Sequence, residues 1–124
     1  MITVFGIKNC DTVKKALKWL AQESVAYQFH DFRKDGLDES LVDHFLATLD
    51  YSALINTRGT TWRKLSDKQK ENMNAAKARD LMLTYDAIIK RPVWLFEDGA
   101  MAVGFSKKEQ GAIAEKLRVN PHSN

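Results

Sequence analysis

The chain has 124 residues, of which 44% are hydrophobic and 28% charged, with 19 basic against 16 acidic side chains for a formal net charge of +3. This length buries an ordinary core without staples, so one domain spanning 1–124 is expected, and nothing in the composition carries the bias of a disordered chain. The small, dispersed charge argues against direct nucleic-acid binding. No apolar run reaches the ~20 residues that cross a bilayer, so no membrane partner is expected. The opening MITVFGIKNC lacks a basic segment, an apolar core and a cleavage site, so a cytoplasmic protein is expected.

The stretch ITVF is short, β-branched and aromatic and ends at Gly6, which reads as a buried strand leaving into a loop that carries Cys10. From Thr12 the pattern turns helical, because Val13, Ala16, Leu17 and Leu20 fall at i, i+3, i+4 and i+7 while Lys14, Lys15 and Lys18 point elsewhere. Asp11 or Thr12 is the expected N-cap. A second strand, roughly AYQFHDF, completes a β-α-β unit, which is expected to be parallel and right-handed. RKDG breaks the pattern, and LDESLVDHFLATL restarts a helix with Asp38 or Ser40 near its cap and Val42, Phe45, Leu46 and Leu49 on one face.

NTRGTTWRKL reads as a glycine-broken loop bearing Arg58 and Arg63, and SDKQKEN as a short exposed helix. NAAKARDLMLTYDAIIK places Ala78, Leu81, Met82, Tyr85 and Ile89 on one stripe. RPVWLFEDGAMAVGF gives two apolar strands around the hairpin signal Asp98-Gly99, and a last helix runs from about Ser106 to Leu117. The order is β-α-β, a helical block, then β-β-α. Two strands in each half are too few for separate sheets, so they join into one mixed four-stranded sheet. The fold class is α/β: a thioredoxin-like core formed by residues about 1–31 and 91–118, with a helical insertion at about 36–90.

Cys10 is the only cysteine, which excludes an internal disulfide, and no neighbouring ligand set suggests zinc, so no metal is expected. His30, His44 and His122 are scattered and read as surface or core-edge residues. At the opening of the first helix, unpaired N–H groups and the positive end of the dipole favour an anion, and basic neighbours there lower a thiol from its usual pKa of ~8.5. Lys8 and Lys14 support that shift and Asp11 opposes it. Position alone leaves two readings open: an activated thiol, or a small hydrophobe used as packing. The sequence has neither C-x-x-C nor C-x5-R, since Val13 and Ala16 stand at those positions, so a catalytic Cys10 needs an external thiol and phosphatase chemistry is disfavoured. In a thioredoxin-like sheet, Arg91-Pro92 opens the third strand facing the first helix. That would set Arg91 beside Cys10 with Arg58 approaching from the inserted helices, so that two guanidinium groups could clamp an anion, the alternative being two ordinary surface arginines and a turn proline.

With these residues assembled, the blocks CDTVKKA, NTRGTTWRKL and IIKRPVW closely resemble the ArsC/Spx family over residues 2 to 118, and look like its YffB-type bacterial members. The resemblance implies a thioredoxin-like fold and three candidate activities. In arsenate reductases of the family the residue matching Cys10 attacks arsenate, arginines matching Arg58 and Arg91 bind the oxyanion, and glutathione with glutaredoxin recycles the enzyme. The third arginine of those enzymes is replaced here by Gly104, which disfavours efficient arsenate reduction. Spx regulators bind RNA polymerase, but typically carry the C-x-x-C switch that Val13 breaks. YffB-like proteins are regarded as glutathione-dependent thiol reductases. The expectation is a monomeric glutathione-dependent reductase of a small anionic or disulfide substrate, with Cys10, Arg58 and Arg91 catalytic and Thr12, Lys8, Lys14 and Pro92 lining the substrate or glutathione site.

Overall fold

Ile2–Gly6 form β1, which pairs in parallel with β2 (Tyr27–Asp31) and antiparallel with β3 (Val93–Leu95). β3 in turn pairs antiparallel with β4 (Met101–Val103), so the sheet runs β2-β1-β3-β4. The structure, a computed structural model, describes residues 1–118. The chain divides into two compact units, one made of Met1–Asp35 with the chain from Arg91 onward, the other of Gly36–Lys90.

The first unit holds the sheet, α1 (Asp11–Gln22) and α7 (Lys107–Leu117). Its core gathers Ile2 and Val4 from β1, Ala16, Trp19 and Leu20 from α1, Trp94 and Phe96 from the third strand and its exit, and Ile113 and Ala114 from α7. Each large side chain fully withdrawn from water there contributes about 1.5–3 kcal/mol. The buried stripe of α1 includes Trp19, whereas Leu17 is only half-buried, so the helix is rotated slightly from the face the spacing suggests. The indole explains this: Trp19 packs on Phe105 at 5.6 Å between ring centroids, and Phe105 packs on Trp94 at 5.8 Å.

The second strand ends at Asp31, earlier than AYQFHDF suggests, because Asp31 turns the chain with its own carboxylate. Its Oδ1 accepts from Arg33 N at 2.9 Å, and its backbone oxygen accepts from Asp35 N at 2.7 Å. The Asp98-Gly99 hairpin forms as expected, with Gly99 at φ 89 and Phe96 N donating to Ala100 O at 2.8 Å. At the start of α7, Ser106 and Glu109 form a reciprocal capping box.

The second unit comprises α2 (Glu39–Thr48), α3 (Tyr51–Leu54), α4 (Thr60–Arg63), α5 (Asp67–Lys70), α6 (Ala75–Thr84) and a 3-10 turn at Asp86–Ile88. Asp38 caps α2 by accepting from Leu41 N at 2.9 Å. α2 packs against α6 through Val42 and Phe45 on one side and Ala78, Leu81 and Met82 on the other, all buried. Two expectations need correction here. NTRGTTWRKL is not wholly loop: Thr60–Arg63 make a helical turn with Gly59 as N-cap, a turn that two β-branched threonines conceal. The apolar stripe of α6 stops with the helix at Thr84, leaving Tyr85 38% exposed. Ile89 is buried through the 3-10 turn and a bridge to Ile55 instead of on a helical face.

Trp94 is fully buried and its indole N–H donates to Gly104 O at 2.9 Å. Trp94→Phe orphans that carbonyl and leaves a void, so it is expected to lower unfolding free energy by about 2–4 kcal/mol in urea titrations with an unchanged slope.

Candidate active site

The geometry around Cys10 begins with the exit of β1. After Gly6 the chain makes a tight turn closed by Cys10 N donating to Ile7 O at 3.2 Å. Cys10 itself is the N-cap of α1, with extended backbone angles (φ -104, ψ 124), and its carbonyl accepts the first helical bond from Lys14 N at 3.0 Å. The expected caps, Asp11 and Thr12, are instead the first two helical residues. This moves the thiol to the position where an N-cap oxygen would accept the free N–H groups of the first turn.

The sulfur stands at that position, although it makes no side-chain capping hydrogen bond. Burial pushes the Cys10 thiol up, but the opposing groups outweigh it. They are the Val13 N–H, then the Arg91 guanidinium through a hydrogen bond and through its charge, and finally the Thr12 N–H, so the thiol lies below its ordinary value. The sheet register explains why Arg91 is there. Phe5 pairs with Val93 in antiparallel sense, so the residues just before Val93 pass the end of β1 where Cys10 emerges. Arg91 is half-buried and Pro92 buried, the bond between them is cis, and Pro92 O accepts from Gly104 N at 2.8 Å.

The first unit thus brings together Cys10, Thr12, Arg91 and Pro92. Lys8 and Lys14 are exposed and, like Asp11, are not among the groups that shift the thiol. The effects assigned to these three from the sequence are corrected accordingly: charges that extend into water are screened. Arg58 belongs to the second unit, where it is exposed and its backbone N–H donates to Asn56 Oδ1 at 3.1 Å. His30 is half-buried against Phe5 and Phe32, His44 is exposed, and His122 lies outside the described residues. Val13 was not singled out as a donor by its sequence, although its place three residues after the N-cap is the signal that finds it.

Gly104 sits at φ 92, in the left-handed region, and a Cβ built on it would run into the Glu109 carboxylate. That carboxylate accepts from Ser106 N at 2.8 Å within the α7 capping box. Any side chain at this position therefore meets backbone strain and must displace the end of the Glu109 side chain.

Fold and site together define a thioredoxin-like α/β protein with a single cysteine at the opening of its first helix. The ArsC family profile matches residues 5–113, and the chain belongs to the ArsC family. An uncharacterized protein of Haemophilus influenzae is 44% identical over 115 residues, 92% of this chain and 100% of its own length. The YffB protein structure superposes with a TM-score of 0.80 at 41% identity, covering 90% of this chain and 97% of that one. The solution structure of an arsenate reductase (ArsC) related protein from Brucella melitensis gives 0.76 at 46% identity, covering 90% and 92%. The global transcriptional regulator Spx of Streptococcus pneumoniae is also a relative, 25% identical over 88% of this chain and 82% of its own.

Because the Val13 N–H, Arg91 and the Thr12 N–H together outweigh burial, alkylation of Cys10 by iodoacetamide, followed by mass against pH, is expected to show a midpoint below that of a free thiol. Arg91→Ala should move the midpoint upward, and Lys14→Ala should leave it in place.

Proposed function

We propose that this protein is a glutathione-dependent thiol reductase whose nucleophile is Cys10. The observation that supports this reading is the half-buried thiol at the N-cap of α1, lowered against burial by the Val13 N–H, the Arg91 guanidinium and the Thr12 N–H, in a chain with no second cysteine. In the proposed cycle the Cys10 thiolate attacks one sulfur of a substrate disulfide. The S–S bond breaks, a mixed disulfide forms on Cys10, and the other sulfur leaves as thiolate. A glutathione thiolate then attacks that mixed disulfide, releasing Cys10 and carrying the first substrate sulfur away as a new disulfide. Arg91 binds a carboxylate of glutathione or an anionic group of the substrate, Thr12 N–H steadies the sulfur, and Pro92 shapes the cleft. The family resemblance assigns Arg58 a share in anion binding and makes glutaredoxin a candidate recycling partner.

Arsenate reduction is the alternative chemistry for the same thiolate. It is expected to be weak because Gly104 supplies no cation where the arsenate reductases of the family carry a third arginine. A non-enzymatic reading, docking on RNA polymerase, is favoured by the streptococcal Spx relatives. Retention of polymerase by Cys10→Ser in a pull-down would support it.

The deciding experiment is steady-state turnover with glutathione, with and without glutaredoxin, comparing a small mixed disulfide with arsenate. Disulfide turnover is expected to exceed arsenate turnover, and to fall as pH drops through the Cys10 pKa, because protonation removes the nucleophile. Cys10→Ser should abolish turnover, and Arg91→Ala should lower kcat/KM by about 10- to 100-fold. No turnover on either substrate would sink the enzymatic reading.

A further inference from the structure

We infer that Gly6 and Val13 form a positioning contact that seats the first turn of α1 against the end of β1 beside Cys10, so that the absence of a side chain at residue 6 is a requirement of the thiolate site. This inference rests on the activated-thiolate reading above.

Gly6 lies at the last position of β1 and its φ is outside the left-handed region, so any residue could adopt its backbone. The glycine is therefore not needed for a turn. What excludes a side chain is Val13, whose Cγ2 would lie 2.7 Å from a Cβ at residue 6, with Cγ1 at 3.5 Å. An approach that close must move one partner. Neither partner moves freely. Val13 is fully buried, and a β-branched side chain in a helix has essentially one χ1 rotamer. Gly6 is held in register opposite Asp31, and its carbonyl accepts from Phe32 N at 2.8 Å.

The strain of an added methyl at residue 6 would therefore fall on the first turn of α1. That turn carries the Val13 N–H, one of the groups that favour thiolate. Lifting it from the end of β1 carries the Val13 N–H away from its place beside Cys10 while leaving the strand pairing intact. Gly6 and Val13 touch no substrate in this scheme; they act through the position of the helix start.

The test compares four proteins by pH-dependent alkylation of Cys10: the parent, Gly6→Ala, Val13→Ala, and the double variant Gly6→Ala/Val13→Ala. In the double variant the new methyl occupies space that the valine has vacated. Gly6→Ala is expected to raise the alkylation midpoint and to slow alkylation at neutral pH about three- to tenfold, with the double variant returned to the parent value. Circular dichroism identifies the folded variants. If Gly6→Ala does not fold, the double variant decides: a parent-like midpoint supports the contact and a free-thiol midpoint overturns it. A folded Gly6→Ala with the parent midpoint also overturns it. A free-thiol midpoint in the parent would overturn the activated-thiolate reading and the inference with it, an outcome distinct from a change confined to Gly6→Ala.

Discussion

The constraint on which this site depends is the cost of holding a negative sulfur partly out of water. Burial alone drives Cys10 toward the neutral thiol, so the charged form needs donors already fixed in place. The first turn of a helix supplies them without loss elsewhere, because its N–H groups have no intrahelical acceptors. Cys10 uses this by being the N-cap itself, a position normally held by serine, threonine, aspartate or asparagine. Arg91 adds a positive charge and a planar fork able to serve both the sulfur and an anion.

Both halves of that arrangement are anchored in the sheet. β1 delivers Cys10 from its end, and the antiparallel entry of β3 delivers Arg91 past the same end, so one register fixes the distance between nucleophile and cation. The Trp94 bond to Gly104 and the shared packing of Trp19 and Trp94 on Phe105 tie α1, β3 and the approach to α7 together. Displacement of any of these would be felt at the sulfur through rigid elements, because close-packed interiors transmit strain.

The sequence made the sheet legible because β1, β3 and β4 are apolar, each strand is bounded by a glycine, proline or aspartate turn, and α1 carries a clear helical period. It placed Cys10 and Arg91 together by topology alone. It misplaced the N-cap by one or two residues because Asp11 and Thr12 are good capping residues in isolation, whereas the turn closed on Ile7 O makes Cys10 the cap. Lys8 and Lys14 looked like partners because charge counts along a sequence carry no direction, and both side chains extend into water. The turn at Thr60–Arg63 was hidden by low intrinsic propensity, and Ile89 by a 3-10 segment whose period differs from that of a helix.

Position 13 joins these strands of argument. In a C-x-x-C pair it would hold the resolving thiol, but here a valine fills it, fully buried against the bare backbone of Gly6. Its side chain packs the helix start, and its N–H is among the groups that lower the Cys10 thiol. Valine has no sulfur, so this position cannot supply a disulfide partner. The feature that sharpens Cys10 as a nucleophile thus also removes any internal means of releasing it from a mixed disulfide. Under the proposed chemistry, completion of the cycle must come from a second thiol in solution, and a guanidinium beside the sulfur is the group suited to receive one that carries carboxylates.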